Sequence, residues 1–231
     1  MNDKKKHFFI HIQKCGGMTI RHSNLLKNRV QIATKETHIS PKYTNDLLKA
    51  MNAIGDHHGN EHARYRDINP KFYDTHTFFA IVRNPWARVV SRYFFAKKVI
   101  EVEKKEPRGK HPIGSFEDFL EDRHKWAGKL FMWHRAIRGW YPAKEHVIDH
   151  DGVVKCDIMR FEHYEEDICR YFDLKEMTGP RNVTGIHKGT YQELYTPKTI
   201  QIIADWYKDD IDQWGFDFDT GATKNFYFEN K

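Results

Sequence analysis

The chain has 231 residues, of which 39% are hydrophobic, 14% aromatic and 30% charged, with a formal net charge of +6. Such a composition excludes a disordered chain, and the length lets one core bury roughly three quarters of the extended surface. No apolar run approaches the ~18 residues of a membrane span, and Met1–Lys6 leads straight into a strand-like run without a cleavage signal. Cys15, Cys156 and Cys169 stand at unrelated spacings, which excludes a disulfide framework and a cysteine zinc cluster. These features predict a single soluble, cytoplasmic domain over residues 1–231. The positive balance points to anionic partners, but Lys and Arg are scattered rather than stacked on one helix, which speaks against nucleic acid.

In chain order, residues 7–13 alternate His with Phe and Ile and read as a buried strand, followed by a helix over 17–28. Residues 30–40 read as a second strand or extended segment, and Ser40-Pro41 caps a helix running toward Met51. Residues 56–67 read as a polar loop with a short helix near Ala63. A strand over 76–82 and a helix over 85–97 follow, with Pro85 pre-set for the opening turn. Residues 97–112 form a net-basic excursion. Residues 116–126 and 129–140 have helical spacing, and 145–157 reads as a β-hairpin turning at His150-Asp151-Gly152. A helix over 163–172, a polar loop through Lys188 and a last helix over 197–214 complete the chain. Ile200, Ile203, Ala204, Tyr207, Ile211 and Trp214 recur along that helix as its core face. Strand–helix alternation predicts an α/β fold with a central, mainly parallel sheet flanked by helices, whose ligands bind beyond the carboxyl ends of the strands.

Two such ends carry cations. In Gln13-Lys-Cys-Gly-Gly-Met-Thr19 the glycines allow a tight turn into a helix, and Lys14 adds its charge to the exposed N–H groups, which makes an anion cradle. The alternative is an ordinary strand-to-helix turn. The nucleoside-triphosphate loop places its lysine after the glycines, whereas here it comes before. Arg83 ends the second long strand and Ser91 lies about two helical turns further on. Either the two reach one phosphate, or Arg83 is a salt-bridging strand terminus and Ser91 a packing residue.

Together, Ile10-His-Ile-Gln-Lys-Cys-Gly-Gly-Met-Thr19 resembles the 5′-phosphosulfate loop of sulfotransferases, I-x-K-x-G-G-T-S. Val82-Arg-Asn-Pro-Trp-Ala-Arg-Val-Val-Ser-Arg-Tyr93 is similar to their 3′-phosphate motif, R-N-P-x-x-R-x-x-S-x-Y. Later blocks, 157–162, 181–191, 193–197 and 209–216, resemble the carbohydrate sulfotransferase branch. The resemblance implies a P-loop-like three-layer fold and 3′-phosphoadenosine 5′-phosphosulfate (PAPS) as sulfuryl donor, leaving adenosine 3′,5′-bisphosphate as product. It implies that Lys14, the loop Cys15, Gly16, Gly17, Met18, Thr19 and Ile20, and the Thr19 hydroxyl hold the 5′-phosphosulfate, while Arg83 and Ser91 grip the 3′-phosphate. Lys188, in the late loop, is a candidate third cation. Met18 stands where the family commonly has threonine and loses a hydroxyl contact. Gln13 stands where proline is common and makes the approach to the loop less rigid.

The block His62-Ala-Arg-Tyr-Arg-Asp67 resembles the segment that supplies a histidine base in glycan 2-O-sulfotransferases, so His62 is the candidate base, with His57 and His58 as alternatives and a purely structural role as the competing reading. His7 and His11 read as strand residues facing one side. His57, His58 and His62 have a spacing that zinc uses, but no cysteine or carboxylate pattern supports a metal site, and none is expected. The acceptor expected is an alcohol, on a glycan or a small molecule and possibly anionic. The competing readings are a nucleotide-dependent kinase and a non-catalytic module binding anionic glycans.

Overall fold

The computed structural model describes residues 6–40, 45, 60–98, 114–126, 137–177 and 189–231. Its centre is a four-stranded sheet of β1 (Lys6–Ile10), β2 (Val30–Ile32), β3 (His76–Val82) and β4 (Asp157–Arg160), in the order β2-β1-β3-β4 with every pairing parallel. The expected parallel α/β architecture is therefore present. Register is set by apolar aromatic residues: Phe8 pairs with Phe78 and Phe9 with Phe79, each couple with ring centroids 5.0 Å apart. Because side chains alternate across a strand, Phe8 and Phe9 face opposite layers. Phe8 meets Phe72 in the 3-10 turn Pro70–Phe72. On the other face, His7 and Phe79 meet Tyr171 and Phe172. A sheet covered on both sides reads as a nearly continuous apolar run, as residues 78–82 do. Each phenylalanine so buried contributes about 1.5–3 kcal/mol.

Seven helices flank the sheet among the described residues: α1 (Gly17–His22), α2 (Pro85–Lys97), α3 (Phe116–Trp126), α4 (Ala143–Val147), α5 (Tyr164–Phe172), α6 (Pro197–Trp206) and α7 (Lys208–Trp214). The best defined start is that of α2, where Asn84 accepts the Ala87 N–H through Oδ1 and Pro85 opens the first turn. The same Asn84 amide donates to the carbonyls of Asp217 and Thr220, which ties the C-terminal segment to the helix start.

Several boundaries differ from the sequence reading. Helix α1 stops at His22 because Ser23 turns extended and gives its N–H to Ile20 O. The last helix is broken at Tyr207 (φ −116°, ψ 26°) into α6 and α7, with Ile203, Tyr207 and Trp214 in the core. The hairpin around His150-Asp-Gly152 is reduced to one antiparallel bridge, Ile148 with Val154. Residues 143–147 are helical instead, since the Asp210 carboxylate takes the N–H groups of Ala143 and Lys144 at 2.7 and 2.8 Å and caps them. The expected helix over 41–51 (Asn45 apart), most of the 97–112 excursion, most of the 129–140 helix, and His57, His58 and Lys188 lie outside the described residues.

Candidate active site

Parallel strands deliver their carboxyl ends to one edge, so the turn after β1, the end of β3 and the turn after β4 lie together there. After β1 the backbone makes a turn in which Lys14 (φ +67°) and Gly16 (φ +78°) are both left-handed. Glycine adopts that conformation freely and lysine does not, so Lys14 carries backbone strain of about 1–2 kcal/mol. Both glycines also permit close approach. A Cβ on Gly16 would fall 2.6 Å from the Tyr164 ring, and one on Gly17 would fall 2.0 Å from the His11 ring.

The loop is extensively braced. Tyr164 Oη donates to Gly16 O at 3.1 Å, and the Thr19 hydroxyl and Ile20 amide face the same phenol. Thr19 N–H donates to Gly16 O at 3.0 Å, so this amide, expected to face an oxyanion, serves the turn itself. Cys15 is buried and donates weakly to Gln13 O, and burial pushes its thiol up to about 11, which keeps it protonated. Gln13, in place of a proline, is not a loose approach to the loop, because two arginines hold it. Arg88 Nε donates to its carbonyl at 3.1 Å and Arg92 Nη1 to its side-chain oxygen at 2.8 Å.

The Lys14 ammonium lies over the Phe95 ring, 4.3 Å from its centroid. Phe95 is one helical turn beyond Ser91 on α2, so the cation sits along the helix face that carries the serine. Arg83, at the end of β3, donates from Nη1 to Lys14 O at 3.0 Å and packs its guanidinium 4.1 Å from the centroid of Phe161, in the turn after β4. Its Nε is buried without a hydrogen-bond partner, and burial lowers its proton affinity. A buried N–H on a cation left unmatched in this way suits an anionic oxygen. The structure thus brings Lys14 and Arg83 within one hydrogen bond of each other, with Ser91 on the adjoining helix.

His62 also reaches this edge. It is buried in the 3-10 turn Asn60–His62, its ring centroid 4.4 Å from that of His11, and its Nδ1 is 2.8 Å from His11 O. A carbonyl only accepts, so Nδ1 carries the hydrogen and the lone pair resides on Nε2. Glu61 Oε1 stands 3.8 Å from that Nε2 and 3.4 Å from Arg21 Nη1 on α1. A proton taken up at Nε2 would therefore arrive beside a carboxylate. Among the described residues no group of His, Cys, Asp or Glu is gathered that could hold a metal ion.

Four residues escaped the sequence reading. His11, by its alternation a strand histidine, has its ring against both Gly17 and His62; Tyr164, Arg88 and Arg92 brace the loop from helices far along the chain. Only the position of His11, three residues before Lys14 on the same strand end, offered a local signal.

Residues 1–217 match a family model described as the sulfotransferase family. No curated protein sequence matches the chain. Among solved structures, the crystal structure of a sulfotransferase from Alicyclobacillus acidocaldarius aligns at 17% identity and a TM-score of 0.48, covering 90% of this chain and 94% of that chain. No described helix is long and apolar enough to cross a membrane. With the family model spanning nearly the whole sequence and both of its cation-bearing strand ends, the chain belongs to the sulfotransferase family.

Proposed function

We propose that this chain, acting as a single catalytic domain, transfers a sulfuryl group from PAPS to an alcohol, with a carbohydrate hydroxyl as the favoured acceptor. The observation that carries the reading is the meeting of Lys14 and Arg83 at one sheet edge, joined by the 3.0 Å contact from Arg83 Nη1 to Lys14 O. The residues present fit the donor. Lys14 and the loop Cys15–Ile20 would take the 5′-phosphosulfate, and Arg83, with its unmatched Nε, would take the 3′-phosphate with Ser91. Lys188 is proposed as a third cation from its place between His187 and Gly189 in the sequence alone.

In the transfer, a bond forms between the acceptor oxygen and sulfur while the bond from sulfur to the bridging oxygen of the phosphosulfate breaks. The acceptor proton passes to Nε2 of His62, whose tautomer is held by His11 O. Lys14 neutralises the charge growing on the departing bridging oxygen. By analogy with phosphoryl transfer, positioning and preorganised charge supply most of the rate. A sulfonate carries one negative charge, so a lysine and backbone amides suffice to balance it.

One observation favours a second assignment of the base. The His11 imidazole is the histidine ring directly against loop residue Gly17, which makes His11 the alternative proton acceptor. The carbohydrate acceptor rests on the later sequence blocks that resemble that branch.

Two measurements test the proposal together. Adenosine 3′,5′-bisphosphate at about 100 times its Kd should raise unfolding stability by about 2.7 kcal/mol, whereas ATP with magnesium should not. Labelled-sulfate transfer from PAPS to a panel of glycans and small alcohols should then identify the acceptor class. Stabilisation by ATP and magnesium alone would replace the proposal with a kinase, and stabilisation by neither with a glycan-binding module.

A further inference from the structure

Lys14 holds a left-handed backbone conformation that crowds its Cβ and persists only where its surroundings over-determine it. Both carbonyls flanking its Cα are gripped by arginines. Arg88 Nε donates to Gln13 O at 3.1 Å, and Arg83 Nη1 donates to Lys14 O at 3.0 Å. Peptide units are planar, so fixing the first carbonyl constrains φ of Lys14 and fixing the second constrains ψ. A third contact holds Gln13 itself, from Arg92 Nη1 to Oε1 at 2.8 Å.

That last contact is built into the core. Arg92 and Gln13 are 3% and 5% exposed, and the Arg92 guanidinium lies 4.7 Å from the centroid of Trp140. Gly139 closes over the pair: a Cβ there would fall 1.9 Å from Arg92 Nη1 and 2.4 Å from Gln13 Oε1. Any side chain at 139 would push the arginine off the amide. A buried guanidinium matched to a neutral side-chain amide, under a residue that must lack a Cβ, holds that amide in place. It fixes the residue immediately before Lys14.

We infer that Arg92 and Gln13 form a positioning pair that holds Lys14 in its left-handed turn, Arg92 acting on the reaction through Gln13 rather than by touching the donor. The inference rests on the proposed role of Lys14 in neutralising the leaving group. Gln13→Leu removes the acceptor, Arg92→Met removes the donor, and Gln13→Glu keeps an oxygen for Arg92. Losing a charge-assisted hydrogen bond that aims a reacting group should lower kcat about tenfold or more in each of the first two variants, with the acceptor KM unchanged. Gln13→Glu should keep the parent rate. Because one contact is lost in both, the double variant Gln13→Leu/Arg92→Met should be no slower than the slower single variant.

Amide hydrogen exchange over residues 14–17 supplies a readout that needs no turnover. It should quicken in Gln13→Leu and Arg92→Met and stay at the parent rate in Gln13→Glu. If the parent transfers no sulfuryl group, the catalytic reading fails while loop exchange still decides the pair. Additive losses in the double variant, or loop exchange unchanged in the two single variants, would overturn the inference. Should Arg92→Met not fold, the comparison of Gln13→Leu with Gln13→Glu decides it alone.

Discussion

Two neighbouring imidazoles and one buried carboxylate set the residue-scale expectations. His62→Ala should lower kcat by about 10²- to 10⁴-fold while leaving affinity for adenosine 3′,5′-bisphosphate near the parent value, as read by turnover and calorimetry. His11→Ala removes the ring against Gly17 and should weaken binding of the bisphosphate as well. The opposite pattern, a large rate loss in His11→Ala and little in His62→Ala, would move the base to His11. Asp210 is 1% exposed, and its burial lifts the carboxyl from 3.8 to about 6, against the pull of Arg88 and two backbone N–H groups. The unfolded chain releases this proton near 3.8 and the folded one near 6, so the group's contribution to stability is full below the lower value and declines as pH rises through the higher. Asp210→Asn cannot titrate. The stability of the parent minus that of Asp210→Asn should therefore fall by about 3 kcal/mol across roughly pH 4 to 6, measured by urea unfolding. The strand-end cations were legible because their chemistry is carried by local order: an apolar run, a charge, then glycine or proline. The bracing by Tyr164, Arg88 and Arg92 was not, since each acts on a residue 75 or more positions away, Tyr164 and Arg88 on a carbonyl and Arg92 on the Gln13 side chain.

At the scale of elements, β1, β3 and α2 were readable because long apolar runs and a proline at the first helical turn leave few competing structures. Helix α4 was misread as a strand because its start is capped by Asp210, some 66 residues onward, and no local signal announces that partner. The break between α6 and α7 was hidden by an apolar spacing that continues across Tyr207. Asn84 is the most exposed test of element-level reasoning, since one side chain caps α2 and binds two carbonyls of the C-terminal segment. Asn84→Ala should lose about 1 kcal/mol for the cap and about 1 kcal/mol for each of the two cross-links, for about 3 kcal/mol in all. Chemical denaturation reads the loss, and a change below about 1 kcal/mol would mean that the cross-links contribute nothing.

Across the whole molecule, β4 is an edge strand, and the C-terminal segment runs beside it. Tyr227 N–H donates to Ile158 O at 2.9 Å, Arg160 lies 4.2 Å from the Phe226 ring centroid and Arg170 lies 4.3 Å from that of Phe228. An uncovered edge invites pairing with another chain. Truncation after Asn225 should cost about 2–3 kcal/mol and raise the tendency to associate, read by thermal unfolding and light scattering. A truncated protein that is monomeric and as stable as the parent would show the segment to be dispensable. The common direction of the four strands has a practical corollary. The tight turn 149–153 lies on the side from which β4 sets out, away from the rim that carries Lys14 and Arg83, and Gly152 at its tip has nothing within 4 Å of a built Cβ. A tether attached at neighbouring Asp151 would leave that rim open to solution, so a protein fixed to a sensor chip through that point can be probed with the proposed donor and acceptor in its native orientation.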